Sequence, residues 1–148
     1  MISIIRNSLS YLLVKVTRGH RLQFSNLLSE HGLYVGQEMV LDRLWEQDGL
    51  TMSELAERLK IKPPSATKMV QRMAQSNLVE TRQSISDARV TQVFLTKSGR
   101  KLKSSIESDW TQVDEAMFSQ LSETEKDTMK QLLEKIQAGQ RESVYIQV

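Results

Sequence analysis

The chain has no cysteine. Disulfides, thiolate zinc sites and thiol redox sensing are therefore excluded. Its 148 residues hold only 2 prolines and 6 glycines. With few breakers and much Leu, Glu, Lys, Gln and Met, the composition favours helix. His20 and His31 are the only histidines and have no ligand spacing, so no metal is expected. There is no Ser/His/Asp or Cys/His set and no phosphate-binding glycine loop, so neither an enzyme nor a cofactor is expected. No apolar run approaches the roughly 18–20 residues that span a bilayer. The opening MISIIRNSLSYLLVKV lacks a signal-peptide core and a small-residue cleavage site. Its apolar residues recur at helical spacing, which predicts a helix of the mature protein. No membrane partner and a cytoplasmic location are expected.

What is present is an uneven charge. The net +2 conceals a basic centre: residues 51–103 carry 11 Lys and Arg against 4 Asp and Glu, and the remainder carries 9 against 14. A basic module between acidic flanks points to a polyanion met by the middle of the chain.

Periodicity predicts six helices and a hairpin. Ile5, Leu9, Leu12, Leu13, Val16, Leu27 and Leu28 lie at helical spacing across residues 4–29. Gly32 suits the residue after that helix. A second helix is predicted over about Val35 to Gln47. Thr51 and Glu54 form a capping box that opens a third. Pro63 and Pro64 fit only the first turn of a helix and so fix where the fourth begins. In it Ala66, Met69, Val70 and Met73 form an apolar stripe, and Asn77 tolerates the left-handed turn that ends it. LVETR and RVTQVFL read as two strands around the polar loop QSISDA. Thr96 is expected to cap a long fifth helix to about Met117. Ser122 and Glu125 cap a sixth, striped by Met129, Leu132, Leu133 and Ile136. The tail VYIQV has no predicted place.

Helix, tight connector, helix and hairpin is the order of a winged helix-turn-helix. The fold class expected is therefore mainly α with a small β-hairpin wing: a winged helix-turn-helix plus a helical dimerisation module. A major groove about 12 Å wide admits one helix. The polar face of the fourth helix suits it: Lys68 and Arg72 for guanine or phosphate, Gln71 for adenine, Ser65 and Thr67 for phosphate or base. Arg89 near the wing loop suits a narrow minor groove, and Asp87 suits a carboxylate that orients it. Taken singly, each feature has a plainer origin, a solvated helix face or a loop ion pair worth about 0–1 kcal/mol. Their joint order on a basic segment favours double-stranded DNA. A winged lobe that holds a protein partner without DNA is the alternative.

Residues 33–100 resemble the MarR family of bacterial transcriptional regulators. The resemblance rests on LTMSELAERLKI, on Pro63 with Thr67, Lys68 and Val70 to Met73, on LVETR, on Asp87 to Arg89, and on VFLTKSG. It implies a homodimeric DNA-binding regulator, a repressor of a nearby operon, on a pseudopalindromic site. The implied division is a winged lobe over 33–99 and a dimerisation module over 1–32 and 100–148. The first, fifth and sixth helices of two copies would interlock. The implied DNA contacts are Ser65, Thr67, Lys68 and Arg72, with Arg89 held by Asp87 on the wing. Pro64 stands where the family commonly has a small polar residue and so bears on base preference. The family also implies release by a small phenolic or anionic effector, for which His20, Tyr34 and Trp45 are the candidate contacts. A packing role is the plainer reading of all three.

Overall fold

The computed structural model describes residues 3–140. The tail VYIQV lies outside them. The elements are α1 (Leu9–Glu30), α2 (Gln37–Glu46), β1 (Leu50–Thr51), α3 (Met52–Leu59), α4 (Pro63–Gln75), β2 (Val79–Gln83), β3 (Thr91–Leu95), α5 (Lys97–Lys101), α6 (Lys103–Phe118) and α7 (Glu123–Gly139).

Local sequence sets most helix ends. Both expected capping boxes form, Thr51 with Glu54 and Ser122 with Glu125. Hydrogen bonds from the Thr51 amide and hydroxyl hold the Glu54 carboxyl below its ordinary pKa. Three helices close with the same pair of backbone bonds. After α1, Leu33 N donates to Leu28 O at 3.0 Å and Gly32 N to Ser29 O at 3.1 Å, around Gly32 at φ +71°. After α3 and α4 the left-handed residues are Lys60 at +52° and Asn77 at +57°. The matching bonds are Ile61 N to Ala56 O and Leu78 N to Met73 O, so the orphan carbonyls of each last turn are satisfied.

Three expectations need correction. The first helix starts at Leu9, not at residue 4, because Ser8 caps it and its hydroxyl accepts from the Tyr11 amide at 3.2 Å. The second helix starts at Gln37, not Val35, because Gly36 takes φ +101°. The helix has no side-chain cap; instead the buried Gln37 and Glu38 side chains accept from the preceding amides of Tyr34 and Gly36 at 3.0 and 2.7 Å. The expected fifth helix is two, α5 and α6, with Leu102 between them at φ −72° and ψ −16°. That ψ is nearer 3₁₀ than α geometry, and it interrupts the ladder for one residue.

The sheet is antiparallel in the order β1-β3-β2. Val93 is central, pairing with Leu50 on one side and Thr81 on the other. The core joins Phe24 and Leu28 of α1, Val40, Leu41 and Leu44 of α2, Val70 and Met73 of α4, Val93 of β3 and Ile106 of α6. From the C-terminal half of α1, Phe24 and Leu28 thus enter this core, while Leu22 stays exposed. On its N-terminal half Leu9, Leu12, Leu13 and Val16 are exposed, as are Leu132, Leu133 and Ile136 of α7.

Gly99 ties the sheet to the helices. A β-carbon there would lie 2.2 Å from the Leu78 carbonyl oxygen. Its amide donates to Thr96 Oγ1 at 3.1 Å, and its carbonyl accepts from Trp45 Nε1 at 3.0 Å. Gly99→Ala is therefore expected to destabilise the fold by about 2–3 kcal/mol, since neither backbone can move without breaking those bonds. Urea unfolding measures it; an unchanged midpoint would show that the strand–helix junction gives way freely.

Candidate nucleic-acid interface

Helices α3 and α4 meet at a small elbow core of Ala56, Ile61 and Ala66, backed by Met52 and Leu59. The alanines bring the two backbones close and fix the angle at which α4 leaves. Ala66, Val70 and Met73 of α4 are fully buried. The outward side presents Pro64, Lys68, Gln71 and Arg72, all exposed. Ser65 and Thr67 are half-buried. Thr67 Oγ1 donates to Pro63 O at 3.0 Å, so its proton is committed to the helix. Thr67 is left as an acceptor, a poor match for phosphate oxygens.

The wing loop, residues 84–90, is closed by Ser84 N to Val90 O at 2.8 Å and Val90 N to Asp87 O at 2.9 Å. Asp87 Oδ1 accepts from the Arg89 amide at 3.0 Å and from its Nε at 3.3 Å. The carboxylate thus holds the stem of a guanidinium whose side chain is 92% exposed. Among the described residues only Nε is engaged, so the terminal nitrogens have no protein partner there. Arg82 on β2 lies over the Phe94 ring, 4.6 Å from its centroid, and pairs with Glu80.

Asp48 anchors the wing to the helices. Its Oδ1 accepts from the Leu95 amide at 2.8 Å, and its Oδ2 pairs with Arg100. In the sequence Asp48-Gly49 reads only as a helix stop. The partner amide is 47 residues away, and no local pattern announces it.

The three candidate effector contacts separate. Trp45 lines a cavity of about 310 Å³ between α2 and α6. His20 lies behind it, its ring 5.2 Å from that of Trp110, which lines the cavity. Tyr34 is 75% exposed and does not line it. In the sequence Trp110 is only one residue of an apolar stripe and Glu38 carries no signal, although both line the cavity.

Burial raises the Glu38 pKa above 4.5, against the opposing effect of its backbone hydrogen bonds. The folded state therefore favours the protonated carboxyl. The stability this gives is full below pH 4.5 and lost as pH rises through the folded value. Glu38→Gln, which keeps an acceptor for the Gly36 amide, is expected to raise Tm at pH 7. The gain should vanish below pH 4.5. Thermal melts at the two pH values test it; a gain that persists in acid would assign the effect to packing.

The MarR family model matches residues 33–91. The organic hydroperoxide resistance transcriptional regulator of Bacillus subtilis (strain 168) is 31% identical over 99 residues, 67% of this chain and 67% of that protein. The HTH-type transcriptional repressor MdtR of the same organism is 35% identical over 72 residues, 49% of this chain and 46% of the relative. The match thus spans less than half of MdtR. Among solved structures, the S. aureus MepR–DNA complex aligns with a TM-score of 0.84 at 26% identity, over 90% of this chain and 98% of that one.

Proposed function

The chain belongs to the MarR family, and from that premise we propose that it is a homodimeric, sequence-specific DNA-binding regulator, a repressor of a nearby operon released by a small-molecule effector. The observation that carries this reading is α4: an apolar face sealed in the core, an exposed row of Pro64, Lys68, Gln71 and Arg72 opposite, and a wing arginine free at its tip. Ser65 and Thr67 border that row. Lys68 and Arg72 are the donors we assign to guanine or phosphate, and Gln71 the residue for adenine. Arg89, aimed by Asp87, takes the minor groove or its phosphates. The solved MepR–DNA complex, which shares this fold over most of both chains, is consistent with that use of the lobe.

Our division is a winged lobe at 33–99 with a dimerisation module at 1–32 and 100–148. The uncovered apolar stripes of α1 and α7 support it, because a lone subunit rarely exposes so large a continuous apolar surface. A two-fold dimer reads a pseudopalindrome, its recognition helices about 34 Å apart. An effector that binds a mismatched spacing about 100-fold better would shift the balance by about 2.7 kcal/mol.

A DNA partner also favours the cytoplasmic assignment; among the described residues no helix is long and apolar enough to cross a membrane. The reading is tested by titrating the protein onto DNA from upstream of its own gene at several salt concentrations. Affinity should fall steeply with salt as counterions are released. A flat salt dependence would refute it, and retention of a stoichiometric protein partner without DNA would restore the winged-lobe alternative.

A further inference from the structure

The cavity between α2 and α6 has a chemistry of its own. Three carboxylates line it, Glu38 and Asp42 from α2 and Glu107 from α6. Two indoles, Trp45 and Trp110, line it as well, and Met39, Ile106 and Thr111 complete the wall. Among the described residues no lysine, arginine or histidine is in that lining.

Glu38 is the least ordinary of these groups. It is 5% exposed, and its Oε2 takes the Gly36 amide. Its own backbone amide also stabilises the carboxylate, and among the described residues it forms no ion pair; Arg21 of α1 acts on it only at a distance. A nearly buried carboxylate without an ion-pair partner among the described residues thus stands at the cavity wall. Asp42 and Glu107 do have cations nearby, Arg43 at 3.7 Å and Lys103 at 3.8 Å. Both pairs are exposed and of little energy, and neither cation enters the lining. An anion placed here would meet three carboxylates and no donor of positive charge. A cation would meet those carboxylates beside two indoles, the aromatic side chain whose ring face binds cations best. The volume lies at the small end of the range for ligand pockets, roughly 300–1,000 Å³.

We propose that this cavity binds a small organic cation, an aromatic amine or a quaternary ammonium, rather than the phenolic or anionic class that the family resemblance suggests. The link to DNA release rests on the effector reading above; the binding itself does not.

The chain's two tryptophans both line this cavity, so intrinsic fluorescence reports this site alone. The test is titration of the full chain with phenyltrimethylammonium and, separately, with phenylacetate. Saturable quenching by the cation, at a dissociation constant at least tenfold below that of phenylacetate, is expected. The double variant Asp42→Asn/Glu107→Gln, with both changes at exposed positions, should weaken the cation at least tenfold and leave phenylacetate no weaker. Equal or tighter quenching by phenylacetate, no saturable quenching by the cation, or a cation affinity unmoved in the double variant would each overturn the proposal. DNA affinity measured in the same samples separates the two claims. Saturable cation binding with unchanged DNA affinity keeps the site and removes its effector role. DNA release by phenylacetate without tryptophan quenching places that effector outside this cavity, while the cation titration alone decides the site.

Discussion

Leu133→Glu is expected to leave a folded monomer that no longer holds DNA. Leu133 is 40% exposed on α7, and Leu13 is 45% exposed on α1. Both line one open groove with Phe118 and Ile136. Among the described residues neither stripe is covered, so a second copy is the covering surface the family reading supplies. Burying a leucine side chain contributes about 1.5–3 kcal/mol, and a two-fold interface counts each substitution twice. Placing a carboxylate in the seam adds its desolvation. Association buries only the 40% of Leu133 still exposed, about 1 kcal/mol per copy, and with about 2 kcal/mol per copy for the carboxylate the sum is about 6 kcal/mol per dimer, roughly a ten-thousandfold loss of association. The protomer core does not use Leu133, so the helical signal and cooperative melting should survive. Sedimentation equilibrium reads the mass, and DNA titration reads the consequence. A variant that stays dimeric at micromolar concentration would show that α7 is not the seam, and the division into lobe and dimerisation module would fall with it.

The elements legible in the sequence are those whose cause is local. A capping box needs four residues, and both are visible there. Pro63 and Pro64 mark the start of α4 by lacking amide hydrogens, and Asn77 marks its end by tolerating φ +57°. The wing pair is visible for the same reason, since Asp87 and Arg89 are two residues apart. What escapes depends on contacts made across the chain. The strand β1 has two residues and exists only because Leu50 meets Val93. Asp48 reads as a helix stop until the Leu95 amide and Arg100 arrive from β3 and α5. Glu38 reads as a solvated position on α2 until α6 packs beside it. Periodicity likewise finds the apolar stripe of α1 but not its two fates, with Phe24 and Leu28 inside the lobe and Leu9 to Val16 outside it. The same limit applies to Tyr34, which sequence groups with Trp45 and which the fold leaves facing solvent.

The double substitution Arg72→Ala/Arg89→Ala is expected to weaken binding to the operator by about 1,000-fold or more without loss of the fold. Both side chains are exposed; Arg72 makes no side-chain hydrogen bond or ion pair among the described residues, and Arg89 pairs only with Asp87. Their removal from the free protein therefore forfeits at most an exposed ion pair, about 0–1 kcal/mol. On DNA a dimer loses four guanidinium groups. At about 1 kcal/mol or more apiece, the low end for a specific arginine contact, the loss is at least about 4 kcal/mol, or 1,000-fold. The two arginines should separate by what they do to sequence preference. If Arg72 reads a base from the major groove, Arg72→Ala should relax preference at one position of each half-site. If Arg89 meets phosphate or a narrow minor groove, Arg89→Ala should weaken all sites nearly alike and lower the salt slope by about 0.9 for each phosphate no longer neutralised. Asp87→Asn tests the holder: it leaves Arg89 in place but frees its stem, so affinity should fall by less than in Arg89→Ala. Anisotropy titrations against an operator and a scrambled duplex at several salt concentrations measure all three. Wild-type affinity in the double variant would show that these cations do not touch DNA, and that the basic balance of residues 51–103 serves another polyanion or none.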